Sequence, residues 1–256
     1  MRLFLNRNIR ITLRQVSSFC YYIVKPMVNK NVKINLTVQG IEPINDTAMS
    51  VFFERPIGFE YEPGDWVDLN FQGGNPKGGI TYSLSSSPTE NVLSITFKLG
   101  ISPFKRRLQS LQPGDEMYIS QYGNDYGFHL KENRSSVLIA GGIGIAPFRS
   151  MLKEMSDSGS KNNVQLLYLN KDASYIFADE LDNWKNQLPN IDVRYIDTRQ
   201  LSRKKREKLL TELINKNAHH YFIAGPEGMV EATEHLLIDD MGISPKDIRI
   251  DSFGGY

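Results

Sequence analysis

The sequence contains almost no cysteine, and its charges nearly cancel. Cys20 is the only cysteine among 256 residues, so a disulfide within the chain and a cysteine-ligated iron–sulfur cluster are both excluded. The net charge of +1 gives no general attraction to nucleic acid. No apolar run approaches the length that spans a bilayer, and the four histidines lack metal-ligand spacing. We therefore expect no metal, no nucleic acid partner and no stable membrane insertion.

The N-terminal stretch lacks acidic residues. Residues 1–41 contain no Asp or Glu but seven Lys and Arg, and residues 1–20 alternate Arg with apolar residues. This composition is typical of an organelle transit peptide. Two other interpretations stay open, namely an extension upstream of a start at Met27 and an amphipathic surface arm. We exclude residues 1–26 from the fold argument and expect a cytoplasmic protein, or a matrix protein if this stretch is a transit peptide.

The length of 256 residues suits two domains, and residues 27–131 show the pattern of an all-β domain. Short strands with partial alternation are separated by turns such as Pro63-Gly64-Asp65 and Pro113-Gly114-Asp115. This spacing predicts an antiparallel β-barrel that contains one short helix at 102–111. The predicted strands are 31–39, 48–54, 66–71, 92–98 and 116–120.

Residues 132–256 change to alternating strands and helices, after a polar boundary at residues 131–135. Alternation at this spacing predicts an α/β domain in which helices cover a parallel sheet. The predicted strands are 137–140, 164–169, 192–196, 221–224 and 247–250, and the predicted helices are 147–157, 178–187, 203–216 and 227–238.

The most informative segment is 137–149, which reads VLIAGGIGIAPFR. An apolar strand ends at Gly141, Gly142 and Gly144, and a helical pattern follows through Pro147. Such a turn lets the backbone approach a ligand, and the helix N-terminus favours a phosphate. The segment is not GxGxxG, and an ordinary strand–turn–helix connection explains it equally well.

A second strand runs into a similar turn at Gly225 and Pro226, followed by a helix from Met229. This segment also has an ordinary structural explanation. Two such turns about 80 residues apart fit the carboxyl edge of one parallel sheet, where open α/β sheets bind ligands.

A third segment, 79–88, places Tyr82 next to a run that is rich in serine. Tyr82 offers a flat apolar face, and Ser83, Ser85 and their neighbours offer hydrogen-bond donors. This combination suits a flat heteroaromatic ligand with polar edges, although serine-rich loops are common.

Together these segments resemble the ferredoxin–NADP reductase family. The family pattern RxYS, GxS, GGxGIAP and CGPxxM corresponds here to ITYS at 80–83, GIS at 100–102, GGIGIAP at 141–147 and AGPEGM at 224–229. Order and spacing agree from about residue 31 to the C-terminus. The resemblance implies a flavin-binding barrel followed by a nucleotide-binding domain, with FAD as cofactor and NADPH or NADH as electron donor.

The resemblance also implies roles for single residues. Tyr82 would pack against the flavin, with Leu84 and Ser85 beside it, and Ser83 would bond near flavin N5, where hydride arrives. Gly100 and Ser102 would hold the FAD pyrophosphate. The ending Asp251-Ser252-Phe253-Gly254-Gly255-Tyr256 resembles E-x-F…Y endings, in which the terminal aromatic covers the other flavin face. Tyr256 is the candidate, unless the terminus is frayed.

The resemblance assigns the nicotinamide nucleotide site to the two glycine turns. The site would be lined by Gly141, Gly142, Gly144 and Pro147, and it would be closed by Gly225, Pro226 and Met229.

Two positions depart from the family pattern. The family's Arg, which neutralises the FAD phosphates, is Ile80 here, and the family's Cys before Gly-Pro is Ala224. Candidates to replace the Arg lie nearby and are all basic: Lys98, Lys105, Arg106 and Arg107.

The choice between NADPH and NADH is expected to depend on Thr198 and Arg199. This pair resembles the Ser-Arg that holds the 2′-phosphate in NADP-using relatives, and Arg suits phosphate recognition. Asp197 beside it opposes a phosphate. The pair favours NADPH.

The predicted function is an FAD-dependent NAD(P)H oxidoreductase that passes electrons to ferredoxin, flavodoxin, another carrier protein or free flavin. The alternative is a non-catalytic flavin-binding or regulatory subunit of a larger complex, which Ile80 and Ala224 favour. The sequence leaves the oligomeric state open.

Overall fold

A computed structural model describes residues 27–76, 80–124 and 127–253. Within these residues the chain forms eleven strands and five α-helices. The first domain contains β1 (Met27–Asn45), β2 (Ala48–Glu54), β3 (Trp66–Phe71), β4 (Thr81–Ser83), β5 (Val92–Lys98), α1 (Pro103–Gln109) and β6 (Glu116–Asn124). The second contains β7 (Ser136–Gly141), α2 (Ile145–Ser158), β8 (Val164–Asn170), α3 (Ala178–Gln187), β9 (Ile191–Asp197), α4 (Arg203–Leu213), β10 (His220–Pro226), α5 (Glu227–His235) and β11 (Ile248–Phe253).

The first six strands form the predicted antiparallel barrel. Their order is β4-β3-β6-β1-β2-β5, and all pairs are antiparallel. The chain just after β4 closes the circle, because Leu84 forms a bridge with Ile95 of β5. Inward-pointing residues such as Val67, Leu69 and Phe97 are at most 1% exposed. Closure leaves β4 at the rim, beside the second domain.

The second domain is the predicted parallel α/β domain. Its five strands lie in the order β11-β10-β7-β8-β9, and every pair is parallel. Alternate residues of β7 face opposite sides, since Leu138 belongs to the core under α2 and α3 and Val137 to the core on the other face. Burial on both faces explains why these strands are continuous apolar runs. The β7 and β10 strands are neighbours, so both glycine turns lie at one edge.

Several element ends differ from the predictions. The β1 strand starts earlier and ends later than 31–39, because its first part pairs with β6 and its second part with β2. A register shift between residues 30 and 34 interrupts the alternation that would have revealed this length. The α4 helix ends at Leu213 rather than 216, and α5 passes at Leu236 into a π-helical turn through Asp240.

Side chains on the two sides of the predicted boundary at residue 131 pack together. Phe128 lies in the first predicted domain, yet its ring packs against Phe148 and Phe222 of the second, with centroid distances of 5.7 and 5.4 Å. The division into 27–131 and 132–256 therefore stays a prediction. The N-terminal segment 1–26 lies outside the described residues.

Residues 27–76, 80–124 and 127–253 contain neither a membrane-spanning helix nor a metal-binding cluster. No helix there has the length and apolar character needed to cross a membrane. No group of three or more His, Cys, Asp or Glu side chains there has a geometry that could hold a metal ion.

Candidate functional site at the domain junction

A cleft lies where β4 of the barrel faces the carboxyl edge of the parallel sheet. We call it the Tyr82 cleft, and its lining comes from both domains: Thr81, Tyr82, Ser83, Thr96, Phe97, Lys98, Lys105, Ile143, Ala146 and Phe253. Four of the predicted site residues are among them, namely Tyr82, Ser83, Lys98 and Lys105. Ile143 and Ala146 come from the GGIGIAP turn, so the structure brings two of the motifs to one place.

Tyr82 forms an aromatic floor for this cleft. Its ring lies nearly parallel to that of Phe104, at 6.2 Å and 20°, and meets Phe97 edge-on at 6.4 Å. Phe104 and Phe97 are at most 1% exposed, so they fix the tyrosine from behind. A rigid aromatic ring of this kind offers a stacking surface for a flat ligand.

Ser83 joins the barrel to the last strand of the second domain. Its Oγ donates a hydrogen bond of 2.8 Å to Oδ2 of Asp251 in β11. Asp251 lies in register with Ala224 of β10, at the edge where both glycine turns lie. Such a hydroxyl–carboxylate pair can orient a ligand and hold a proton. The motif pattern predicts a role for Ser83 but none for Asp251, although Asp251 is the acidic residue of the C-terminal motif.

A second cleft, of about 390 Å³, lies on the other side of Ser83. Trp66, Asp68 and Asp251 line it, and Thr81 Oγ1 donates to Asp68 Oδ1 at 2.5 Å. Phe253 lines both clefts. An aromatic side chain of the C-terminal motif therefore does reach the site. Tyr256, the predicted stacking residue, lies outside the described residues.

The two glycine turns contact each other directly. Gly142 has a φ of 54°, a left-handed conformation that residues with a side chain rarely adopt. A Cβ on Gly144 would lie 2.1 Å from the carbonyl oxygen of Ala224. A Cβ on Gly141 would similarly meet the Met229 side chain at 2.5 Å and Pro226 at 3.2 Å. A Cβ on Gly225 would in turn meet the carbonyl oxygen of Gly141 at 3.0 Å, so the two turns pack against each other. Pro147 is buried in the helix that follows the first turn.

The basic residues near Ser102 differ in their roles. Ser102 Oγ caps α1 by accepting a bond from the backbone N–H of Lys105. The Lys105 side chain folds over Gly100, where a Cβ would lie 2.9 Å from its Cδ. Burial, together with the nearby Lys98 charge, lowers the pKa of Lys105. Arg107 is engaged elsewhere, because it donates to the carbonyls of Gly74 and Gln72 and lies 4.1 Å from the centre of the Phe71 ring.

Leu84 and Ser85 turn away from the cleft. Leu84 is completely buried and Ser85 is 1% exposed, with its Oγ bonded to Ser94 and Thr96 inside the barrel. Neither residue lines the Tyr82 cleft. Both side chains therefore lie inside the barrel, and their predicted contact with the cofactor stays a prediction.

Thr198 and Arg199 lie at the carboxyl end of β9. Thr198 Oγ1 donates to the carbonyl of Asn170 at 2.9 Å. Arg199 forms an ion pair of 2.6 Å with Asp197, and further bonds join the same two residues. The hydrogen bonds from Arg199 lower the pKa of Asp197, which favours its charged form. The Arg199 guanidinium, which was expected to bind the 2′-phosphate, is therefore paired with the Asp197 carboxylate.

The second domain is similar to known oxidoreductase domains. Residues 138–235 match the family model described as an oxidoreductase NAD-binding domain. The gamma subunit of sulfhydrogenase 2 from Pyrococcus furiosus is 32% identical over 125 residues, which are 48% of this chain and 42% of that protein. The toluate 1,2-dioxygenase electron transfer component from Pseudomonas putida is 28% identical over 200 residues, which are 75% of this chain and 58% of that protein. The chain thus spans less than two thirds of the length of these relatives.

Solved structures share the whole fold. A mutant ferredoxin–NADP+ reductase from Plasmodium falciparum, solved with 2′P-AMP, superposes with a TM-score of 0.74 at 17% identity. The superposition covers 89% of this chain and 99% of that one. The resemblance inferred from the motifs is therefore confirmed at the level of the fold: the chain has the two-domain fold of the ferredoxin–NADP reductases, and residues 138–235 match the oxidoreductase NAD-binding domain.

Proposed function

We propose that this chain is an FAD-dependent NAD(P)H oxidoreductase that takes hydride from a nicotinamide and passes electrons to a separate acceptor. Ferredoxin, flavodoxin and free flavin are the candidate acceptors. The observation that carries the proposal is the hydrogen bond between Ser83 and Asp251. It joins the floor of the Tyr82 cleft to the carboxyl edge of the NAD-binding domain, where two reacting rings would have to meet.

The residues of the Tyr82 cleft fit FAD. The Tyr82 ring suits the flat flavin, and Lys105 and Lys98 supply the positive charge that Ile80 does not. Ser102 still has its hydroxyl hydrogen to donate to a phosphate, since its oxygen only accepts from Lys105. When bound, FAD supplies the redox chemistry, because it accepts a hydride and can return single electrons.

We expect the residues of the chain to orient the nucleotide and the flavin toward each other. The joined glycine turns form the surface for the dinucleotide, with Ile143 and Ala146 reaching the cleft. Ser83 and Asp251 lie at the meeting point, where the Asp251 carboxylate would hold the Ser83 hydroxyl so that its oxygen orients the reacting edge. Hydride transfer itself releases no proton to this pair. Ala224, in place of the family's Cys, removes a thiol but no group that this scheme requires.

The ion pair at the end of β9 favours NADH, the reverse of the preference expected from Thr198 and Arg199 alone. Asp197 occupies Arg199, and Asp172 adds a second negative charge near the guanidinium. A 2′-phosphate would have to compete with both carboxylates, whereas a free 2′-hydroxyl can donate to Asp197. We therefore propose NADH as the better donor and NADPH as the weaker one.

Anaerobic mixing of the purified protein with NADH or NADPH tests the proposal. The proposed function requires that the yellow colour of bound flavin bleaches with at least one nucleotide. A protein that stays colourless with added FAD, or that stays yellow with both nucleotides, would contradict it.

A non-catalytic subunit of a larger complex is the second candidate. The substitution of Arg by Ile80 favours it, since it weakens the expected phosphate contacts. The similarity to a sulfhydrogenase subunit also fits such an arrangement. The same mixing experiment separates the two, because only the oxidoreductase bleaches without another protein.

A further inference from the structure

A buried arginine connects the two domains next to the proposed site. Arg149 in α2 is 9% exposed, and its NH1 donates to the carbonyl of Ser85 at 3.0 Å. The guanidinium also binds both oxygens of Glu90, at 2.5 and 3.1 Å. It binds both oxygens of Glu180 as well, at 2.9 and 2.7 Å. Ser85 and Glu90 belong to the barrel, whereas Glu180 lies in α3 of the same domain as Arg149.

The chemistry of this contact favours a fixed geometry. The planar guanidinium binds each carboxylate through two parallel bonds, which define direction as well as distance. Burial alone would lower the pKa of Arg149, but the bonds to Glu180 and Glu90 outweigh it and raise the pKa, so the group stays charged. The backbone N–H of Ser87 also donates to Glu90 Oε2, which holds the carboxylate in its loop.

These bonds join residues that follow the two motifs of the site, the GGIGIAP turn and the strand that carries Ser83. Arg149 follows the GGIGIAP turn on the helix that the turn begins, and Ser85 follows Ser83 by two residues. The next residue, Ser150, donates to the carbonyl of Ser86 at 2.6 Å. The helix behind the nucleotide turn is therefore tied to the segment behind the flavin-facing strand. We call the contacts of Arg149 and Ser150 with Ser85, Ser86 and Glu90 the Arg149 latch.

We propose that Arg149 is a positioning residue, which through the Arg149 latch sets the distance and angle between the nicotinamide and the flavin. The inference rests on the proposed function, and it adds a residue that touches neither ring. Hydride transfer is very sensitive to such geometry, since a misplacement of 1 Å can cost on the order of 10²-fold in rate. Loss of the latch should therefore slow transfer more than it weakens either cofactor's binding.

The two glutamates provide a matched pair of variants. Glu90→Gln weakens the bond between the domains, whereas Glu180→Gln weakens only a bond within the second domain and leaves Arg149 on Glu90 and Ser85. Each change removes one negative charge from beside the same guanidinium. We expect Glu90→Gln to slow the single-turnover bleaching by NADH about tenfold or more, with unchanged nucleotide affinity. Glu180→Gln should slow it less than about twofold. Equal effects of the two variants would overturn the proposal.

A second readout does not depend on activity. Each domain contains one of the two tryptophans, Trp66 in β3 and Trp184 in α3. In the purified full chain, Trp184→Phe leaves a probe for the barrel, and Trp66→Phe leaves a probe for the NAD-binding domain. The latch predicts that urea transitions from the two probes coincide, and that they separate when Glu90→Gln is added but not when Glu180→Gln is added. Transitions that stay coincident with Glu90→Gln would overturn the latch even if the protein bleaches. Separation without any bleaching would keep the latch and contradict the proposed function.

Discussion

At the scale of single residues, the site depends on pairs of side chains that are distant in the sequence. Ser83 and Asp251 are 168 positions apart, yet their side chains are hydrogen-bonded. Motif spacing identified Ser83, because the motif is local. The bond to Asp251 depends on how the barrel sits against the sheet, which no local pattern encodes. The Asp197–Arg199 pair is local, but only the structure shows that the carboxylate occupies the guanidinium.

The Ser83–Asp251 bond predicts non-additive mutations. Ser83→Ala removes the hydroxyl that Asp251 holds at the reacting edge, and it should slow flavin reduction on the order of 10²-fold while FAD is retained. Asp251→Asn should cause a loss of similar size. The double variant should be about as slow as the slower single variant, because the two side chains act as a unit. Single-turnover bleaching measures all three, with Ser110→Ala as an exposed control, and independent, multiplying effects would contradict the pairing.

The Asp197–Arg199 pair predicts a change in nucleotide preference. Asp197→Asn removes a carboxylate close to the expected 2′-phosphate and releases Arg199. Removing a like charge close to the phosphate should raise kcat/KM for NADPH about tenfold. The change for NADH should be smaller, because the Asn oxygen can still accept a hydrogen bond from the 2′-hydroxyl. Arg199→Ala in the same background should abolish the gain. A wild-type preference for NADPH would instead support the original expectation from Thr198 and Arg199.

At the scale of elements, the connections between strands and helices carry the site, and the strands position them. The β7 and β10 strands are adjacent, so the turns after them touch at Gly144 and Ala224. The apolar runs and glycines allowed the sequence to predict the strands, the turns and the shared edge. The long β1 was missed because a register shift and its two pairing partners break the alternation.

The contact between the turns predicts that Gly144→Ala is strongly destabilising. Its Cβ would meet the Ala224 carbonyl at 2.1 Å, which forces the two turns apart. Overpacking of this kind costs about 3 kcal/mol at the upper end of its usual range. Gly228→Ala in α5 is the matched control, because a Cβ there has no atom within 4 Å and Ala favours a helix. Thermal and urea unfolding compare the two, and similar losses of stability would contradict this account of the turn.

The α1 helix and the turn before it predict how flavin binding depends on charge. Lys105→Ala should raise the FAD dissociation constant about tenfold, since a hydrogen bond to a charged group contributes about 1.5–3 kcal/mol. Arg107→Ala should lower stability through its contact with Phe71 but leave FAD affinity nearly unchanged. Equilibrium titration with FAD and FMN checks both, and FAD should bind more tightly. Equal affinities for FAD and FMN would argue against a pyrophosphate site here.

At the scale of the whole molecule, the closed barrel packs against α2 and against the last strand of the parallel sheet. The sequence predicted both architectures, because alternating short strands and strand–helix alternation are local patterns. It did not predict their contacts, such as Phe128 packing into the second core or Arg149 reaching Ser85. These contacts bring the Tyr82 cleft to the glycine turns, so they decide whether the two halves form one site.

Single-turnover reduction with NADH that carries deuterium at nicotinamide C4 tests whether this chain alone transfers hydride to its flavin. We expect that the purified protein alone, with bound FAD, bleaches in one turnover and that the transferred deuterium slows this bleaching. Such a result requires direct hydride transfer between rings that this chain holds together. Failure to bleach without a second protein, or bleaching at the same rate with either isotope at the transferred position, would contradict the account.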